Sequence, residues 1–209
     1  RDDVESRGLG DVYKRQHFFG TEFLYTSYFI KIALEEGYKD RIVTSIQGLV
    51  SVYYDHYSAG LPDYIMRRKT LSEIKGKCSL IDNKKNYLHR GKYEQDVLVA
   101  SSNIIGRTTW DKACAHFIAP ESRYYFCNEN LRFVFYDGSQ WEYEKCNKYQ
   151  IAISQAGYPI KGLHKVIEAV ALLCNEFPDI KVKVGGANIF GGNWIKGNSY
   201  GIYLSLIHI

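Results

Sequence analysis

The sequence has no long apolar run. Its apolar segments are short and are interrupted by Lys, Glu or Asp, whereas a membrane-spanning helix needs about 18 or more consecutive apolar residues. Apolar residues make up 45% of the 209 residues and charged residues 24%, which is typical of a globular protein. A chain of this length forms one large domain or two small ones with a hydrophobic core. We therefore expect a soluble protein without a membrane span.

Metal-binding cysteine motifs are also missing. The number of cysteines is odd, and no two have the Cys-x-x-Cys spacing of a zinc site. We expect free thiols in a reducing cytosol and no metal site. Cys174 lies on the apolar face of a predicted helix, so we place it in the core. The cysteines are Cys78, Cys114, Cys127, Cys146 and Cys174.

The charge is only mildly basic. The formal net charge is +4 and the sequence pI is about 8.7, which suits binding of anionic phosphates or contact with an anionic membrane face. The basic residues are scattered and no RNA-binding signature is present, so we expect no nucleic-acid partner. The 18 Tyr, 10 Phe and 3 Trp residues fit either a Tyr-rich core or stacking against sugars.

The two ends differ from the rest of the chain. Residues 1–16 (RDDVESRGLGDVYKRQ) have no helix or strand period, and residues 204–209 (LSLIHI) are apolar. Both resemble translated sequencing adapter at the edges of assembled metagenomic reads, and we exclude both from the fold prediction. We expect residues 17–203 to be natural and truncated on both sides.

The remaining pattern alternates between helices and strands, which predicts an α/β fold with a parallel sheet. Thr21 is the expected N-cap of the first helix and Gly37 its stop signal. Residues 58–86 read as a long polar excursion, helical around residues 64–74, and residues 137–148 as a domain linker. The predicted helices are residues 22–36, 87–101, 108–117 and 163–177, and the predicted strands are residues 41–45, 103–106, 124–126, 150–154 and 181–184.

Polar and glycine residues follow each predicted strand. In open α/β sheets, ligands bind beyond the carboxyl ends of the strands, so these positions are candidates for a cleft. Arg107 has the alternative role of a structural ion pair, and Asn128 and Glu129 that of a cap for a helix at residues 130–136. The cleft candidates are Gln47, Gly48, Arg107, Asn128, Glu129 and Gly186.

Lys161 and Gly162 stand at the N-terminus of the most clearly predicted helix. The free N–H groups and the dipole of a helix N-terminus favour anions, and a lysine adds a full positive charge. The alternative is a solvated lysine in the first helical turn. The sequence contains neither GxGxxG nor GxxxxGK[ST], so NAD-binding and P-loop functions have no support.

The segment SQAGYPIKGLHKVIEAVALLCNEFPDIKVKVGG resembles the start of the C-terminal domain in family 4 of the retaining glycosyltransferases. Upstream, HFFGTE, IVTSIQGLVSVYYDHYSAGLP, IIGRTTWDKAC and YFCNENLR resemble the second half of the N-terminal domain of one branch of that family. The resemblance covers nearly all of residues 17–203.

The resemblance implies the type B glycosyltransferase fold, which has two Rossmann-like lobes with the active site between them. Residues 17–140 would form the second half of the acceptor-side lobe, and residues 141–203 the start of the donor-binding lobe, both incomplete. The donor is a nucleoside-diphosphate sugar, and a glycan or a lipid-linked acceptor receives the sugar with retention, in surface polysaccharide biosynthesis. The expected location is the cytoplasm or the inner face of the plasma membrane.

Catalysis in the family needs no metal or other cofactor, because positive side chains and helix N-termini stabilise the leaving diphosphate. Lys161 matches the family's diphosphate-binding lysine, and Gly162 and Gln155 belong to the same loop. The resemblance identifies no catalytic residue. Tyr53, His56 and Tyr57 are acceptor-side candidates, and His17 is a further candidate for the cleft.

The chain departs from the family pattern at two positions. Gln155 stands where the family has an arginine before the lysine, and Gln47 stands where the family often has a histidine. A glutamine forms hydrogen bonds but cannot act as an acid or base; Arg107 would restore a positive charge. The family's paired glutamates and Gly-rich first loop fall outside these residues, so we expect the chain itself to be inactive. A nucleotide-sugar epimerase or phosphorylase, or a non-catalytic Rossmann-like binding module, stays open as an alternative.

Overall fold

The computed structural model describes residues 15–186 and 195–207 of the chain. These residues alternate between strands and helices, and every strand pair among them runs parallel. The predicted α/β class with a parallel sheet is therefore confirmed. Within the described residues, every helix is too short or too polar to cross a membrane. All five cysteines lie in this part of the chain and are free thiols, as expected.

The strands are β1 (Gln16–Phe19), β2 (Ile42–Ser45), β3 (Asn103–Gly106), β4 (Arg123–Phe126), β5 (Gln150–Ile153) and β6 (Lys181–Val184). The helices are α1 (Leu24–Glu35), α2 (Val50–Tyr53), α3 (Asp63–Arg67), α4 (Leu71–Gly76), α5 (Leu80–Ala100), α6 (Thr109–Ile118), α7 (Val134–Asp137), α8 (Leu163–Leu173) and α9 (Ser199–Ile207).

The described chain divides into two compact units. Residues 15–54 and 87–132 form the first unit, and residues 55–86, 133–186 and 195–207 form the second. This division differs from the predicted domains, because residues 55–86 pack with the C-terminal part of the chain. The apolar side chains of Tyr57, Leu61 and Ile65 are each at most 5% exposed there.

The first unit contains a four-stranded parallel sheet in the order β1-β2-β3-β4. Successive strands lie side by side, so each connection between them is a crossover that contains helices, as in half of a doubly wound sheet. The topology is Rossmann-like. In the core of this unit, residues that follow β2 and a residue of β3 pack with α5 and α6. The core consists of Ile46, Leu49, Leu98, Ile104, Ala115 and Ala119.

Helix α6 begins where the sequence predicts. Thr108 accepts a hydrogen bond from the main-chain N–H of Asp111, and the Asp111 carboxylate accepts one from the Thr108 N–H. This reciprocal capping box satisfies two N–H groups that the helix leaves free. Helix α1 ends as predicted, with Gly37 in the left-handed conformation at φ 77°. Thr21, however, is not its N-cap, because the helix starts at Leu24 and the Thr21 hydroxyl donates to Glu94 instead.

Helix α5 begins at Leu80, seven residues before the predicted start at residue 87. The reason lies in the preceding residues. The Ser79 hydroxyl donates to the Asp82 carboxylate at 2.5 Å and accepts from the Asp82 main-chain N–H at 3.3 Å. The resulting cap starts the helix inside the polar excursion, where few apolar residues mark a helical face.

The second unit contains β5 and β6 as a parallel pair, with α8 between them in the chain. This is the predicted strand–helix–strand unit. Helix α8 ends at Leu173 rather than at residue 177, and Cys174 is exposed, so its placement in the core is wrong. Leu204, which lies within the excluded residues 204–209, belongs to α9 and is fully buried. Residues 1–14, 208 and 209 of the excluded ends lie outside the described residues, and Gln16 is the first residue of β1.

Candidate functional site

A cleft of about 830 Å³ lies at the carboxyl ends of the strands in the first unit. Each of the four strands contributes residues at or just beyond its last position, as expected for an open α/β sheet. The lining consists of His17, Phe19, Gly20, Glu22, Phe23, Tyr25, Ser45, Ile46, Gln47, Ile105, Gly106, Arg107, Cys127, Asn128, Glu129 and Asn130.

The polar side of the cleft is held by hydrogen bonds between its own residues. His17 Nε2 lies 2.6 Å from Ser45 Oγ. Arg107 donates from Nη1 to a Glu129 carboxylate oxygen at 2.6 Å and from Nη2 to the main-chain oxygen of Gln47 at 2.9 Å. The predicted positive charge of Arg107 is therefore present in the cleft, but Glu129 neutralises it. The alternative of a structural ion pair for Arg107 is confirmed.

The other charged side of the cleft is neutralised in the same way. Arg90 Nη2 donates to Glu22 Oε1 at 2.7 Å, and the guanidinium lies 5.4 Å from the centre of the Phe23 ring. Glu22 Oε2 is buried and has no hydrogen-bond partner among the described residues. Phe23 also stacks on Tyr25, with ring centres 5.3 Å apart. This side therefore combines a paired carboxylate with aromatic surface.

Glu94 fixes two of the loops that form the cleft. Its side chain, which is fully buried, accepts hydrogen bonds from the main-chain N–H groups of Val50 and Ser51 and from the hydroxyls of Ser51 and Thr21. Thr21 lies in the loop after β1, and Val50 and Ser51 follow the loop after β2. Burial raises the pKa of the Glu94 carboxyl above its ordinary value of 4.5, although these hydrogen bonds oppose the shift.

The second unit contains the loop between β5 and α8. Gln155, the second residue after β5, has a left-handed backbone with φ 53°. Gly186 follows β6 with φ 111°, and a Cβ on it would lie 3.6 Å from Gln155 Cα. The two residues are therefore neighbours at the carboxyl ends of their strands.

Lys161 and Gly162 lie at the start of α8, as the sequence predicts. Lys161 ends a short 3₁₀ turn (Pro159–Lys161), and Gly162 has φ 77° at the helix N-cap. Lys161 is exposed, and the described residues provide no ion-pair partner for it. Among the described residues no side chain caps this helix, and the N–H groups and dipole of a helix N-terminus favour anions.

Not every predicted candidate lies where the sequence indicated. Gln47, Arg107, Asn128 and Glu129 line the cleft of the first unit, whereas Gly48 does not. The alternative of a helix cap for Asn128 and Glu129 is wrong, because the helix that follows is only Val134–Asp137 and Glu129 pairs with Arg107.

The acceptor-side candidates lie outside the cleft lining. Tyr53 is half-buried beside Tyr87, with ring centres 6.1 Å apart, and burial raises its pKa to about 12. Tyr57 is fully buried in the second unit. His56 ends the 3₁₀ turn Tyr54–His56 and is exposed.

Several residues that shape these sites were not predicted. Phe19 ends β1, Glu22 and Phe23 belong to the loop after it, and Tyr25 lies in the first turn of α1. Strand β1, which positions this loop, is not among the predicted strands, and its first residue, Gln16, lies in the excluded segment. Glu94 lies in mid-helix, and only its distant hydrogen-bond partners reveal its role. The motif HFFGTE, which follows the pattern of a strand and a polar loop, was the available signal.

Comparisons with known proteins give no family assignment: no family model matches the chain, and no curated protein or solved structure matches it. Among the described residues, no group of His, Cys, Asp and Glu side chains is arranged to hold a metal ion.

Proposed function

We propose that this chain belongs to a retaining glycosyltransferase of family 4 with the type B fold, which transfers a sugar from a nucleoside-diphosphate donor to a glycan or lipid-linked acceptor. In this proposal the second unit binds the donor diphosphate and the first unit contributes the acceptor side. The reaction belongs to the biosynthesis of surface polysaccharide. It takes place in the cytoplasm, including the inner face of the plasma membrane.

The observation that carries the proposal is the exposed Lys161 at the free N-terminus of α8. Two sources of positive potential meet there: a full charge without an ion-pair partner among the described residues, and the N–H groups of an uncapped helix. A leaving diphosphate develops negative charge as the sugar departs. Positive groups that are fixed before the reaction stabilise that charge without reorganisation.

The neighbouring residues refine this function. Gln155 replaces the arginine of the family pattern, so it supplies a neutral hydrogen-bond donor beside the diphosphate. Gln155 and Gly186 are neighbours at the carboxyl ends of β5 and β6, where ligands bind in open α/β sheets. Lys161 is then the main positive side chain of the donor site.

The cleft of the first unit fits the acceptor. Its charged side chains are paired within the protein, Arg107 with Glu129 and Glu22 with Arg90. A cleft with neutralised charges, hydrogen-bonding groups and aromatic rings suits hydroxyl-rich sugars better than it suits phosphates.

Titration of the 209-residue protein with UDP and with GDP by isothermal calorimetry tests the proposal. We expect one of the two to bind, and Lys161→Ala to weaken that binding about tenfold or more, the loss of a charge-assisted hydrogen bond. Lys181→Ala is the matched control, because Lys181 is exposed at the opposite, amino end of β6. Failure of both nucleotides to bind, or equal losses in the two variants, contradicts the proposed function.

A further inference from the structure

His164 is the most deeply buried polar side chain of α8. It lies in the first turn of the helix, two residues after Gly162, and is fully buried. Its ring forms two hydrogen bonds: Nε2 lies 2.9 Å from the main-chain oxygen of Ala59, and Nδ1 lies 3.0 Å from the Tyr200 hydroxyl. All three residues belong to the second unit.

The hydrogen bond to Ala59 defines one proton of the ring. A carbonyl oxygen can only accept, so Nε2 carries a proton and donates it to Ala59. Burial raises the pKa of Tyr200 to about 12, so its hydroxyl keeps its proton and can donate to Nδ1. The ring therefore joins Ala59 and Tyr200 through both of its nitrogens.

The Ala59 carbonyl belongs to a turn with an unfavourable backbone. Ala59 has φ 47° and Gly60 has φ 80°, two successive residues in the left-handed region, which an alanine rarely adopts. Main-chain hydrogen bonds from Ala59 to His56 and from Leu61 to Ser58 close this turn. A Cβ on Gly60 would lie 3.4 Å from Lys165 Cε, so the turn lies against the first turn of α8.

We infer that His164 is a positioning residue of the anion site: it joins the turn at residues 56–61 to the start of α8 and so fixes the N–H groups beside Lys161. This inference rests on the proposed function. The contribution of His164 is geometric, because Ala59 and Tyr200 engage both of its ring nitrogens. Binding of a diphosphate by main-chain N–H groups depends on such fixed geometry.

Calorimetric titration of the full chain with inorganic pyrophosphate, alongside UDP and GDP, tests the inference. His164→Leu removes both hydrogen bonds, and we expect it to weaken pyrophosphate binding about fivefold, the factor expected for loss of a buried hydrogen bond. His164→Gln retains a donor for the Ala59 carbonyl, and we expect it to restore most of the affinity.

A second variant separates positioning from general destabilisation. Ile65→Ala truncates a side chain that is 2% exposed in the same unit, so it lowers stability without removing either hydrogen bond. Binding is compared well below the melting temperature of every variant. Equal losses of affinity in His164→Leu and Ile65→Ala, or no rescue by His164→Gln, overturn the inference while the proposed function stands.

Hydrogen–deuterium exchange gives a readout that needs no ligand. We expect faster exchange at residues 56–61 and 162–166 in His164→Leu than in Ile65→Ala, because only the former releases the turn from the helix. Equal exchange in these segments overturns the positioning role. If the wild-type chain binds neither pyrophosphate nor a nucleotide, the proposed function fails, and the role of His164 at an anion site fails with it.

Discussion

Arg107 joins the carboxyl ends of three neighbouring strands through Glu129 and Gln47. Its guanidinium, which follows β3, donates to the Glu129 carboxylate beyond β4 at 2.6 Å and to the Gln47 carbonyl beyond β2 at 2.9 Å. Both members of the ion pair are partly exposed, with side chains 33% and 53% accessible. Such a pair contributes at most about 1 kcal/mol to stability. Its larger effect is on the charge of the cleft.

We predict that Glu129→Gln converts the cleft into an anion site. The substitution leaves the Arg107 charge without its carboxylate partner, so inorganic pyrophosphate should bind there, and the free energy of unfolding should change by less than about 1 kcal/mol. The measurement is the pyrophosphate-induced NMR shift of the Arg107 and Asn128 amides, in a Lys161→Ala background that removes the anion site of the second unit.

The matched control for this prediction is Glu142→Gln. Glu142 pairs with Lys145 at 2.7 Å, and neither residue lines the cleft. The control removes the same charge elsewhere and should cause no shift at Arg107. Identical shifts in the two variants would show that net charge, rather than the release of Arg107, governs anion binding.

Local signals in the sequence explain which parts of the fold were predictable. Strands β3 and β6 have the predicted bounds, because short apolar runs between turn signals mark them. Helix α6 has its cap at Thr108, where the sequence offers a capping residue directly before the apolar pattern. The rule that ligands bind beyond the carboxyl ends of parallel strands then placed Gln47, Arg107 and Glu129 in one cleft.

The remaining features depend on contacts between distant residues. Glu94 hydrogen-bonds Thr21, 73 positions away, and His164 hydrogen-bonds Ala59, 105 positions away. In the sequence each of them is an ordinary polar residue within a helix. The sequence also showed no sign that residues 55–86 belong to the second unit. Tertiary contacts, rather than a regular apolar pattern, bury Tyr57 and Ile65 there.

We predict that Glu94→Gln destabilises the protein by about 1–3 kcal/mol, the cost of disturbing a buried hydrogen-bond network. The carboxylate accepts hydrogen bonds from two main-chain N–H groups and two hydroxyls. An amide has only one acceptor oxygen, so its NH₂ group must face at least one N–H donor. Urea unfolding measures the loss. Asp96→Asn, an exposed change in the same helix, should stay within about 0.5 kcal/mol of wild type, and an equal loss there would contradict the role of Glu94.

The pH dependence of stability should reveal the raised pKa of Glu94. Because burial raises the folded pKa above 4.5, the folded state binds this proton more tightly than the unfolded state. The contribution of Glu94 is therefore complete below about pH 4.5 and is lost as the pH rises through the folded pKa. We expect the difference in unfolding free energy between wild type and Glu94→Gln to shrink as the pH rises above about 4.5.

Other titrating groups do not disturb this comparison. The Ser79 hydroxyl lowers the pKa of Asp82 below 3.8, so Asp82 contributes stability that is lost as the pH falls. Asp82 is present in both proteins, and its effect cancels in the difference. A difference that grows with pH would show that the folded pKa of Glu94 lies below 4.5 instead.

Gly91 should tolerate no larger side chain, although it lies in the middle of α5. Gly→Ala in a helix interior ordinarily stabilises by about 1 kcal/mol. At this position, however, a Cβ would lie 2.9 Å from Ser51 Cα and 3.2 Å from the Ser51 nitrogen. Backbone atoms cannot move aside as a flexible side chain can, so we predict that Gly91→Ala destabilises by about 1–3 kcal/mol in urea unfolding.

Comparison with two further variants tests the cause of this loss. Gln95→Ala, at an exposed position of the same helix, should be close to neutral, which would rule out a general intolerance of α5 to alanine. Ser51 is also a hydrogen-bond partner of Glu94, so Gly91→Ala should push Ser51 away from that carboxylate. The double variant Gly91→Ala with Glu94→Gln should then lose less stability than the two single variants together. Full additivity would show that Gly91 and Glu94 act on Ser51 independently, and stabilisation by Gly91→Ala would contradict the close contact between α5 and Ser51.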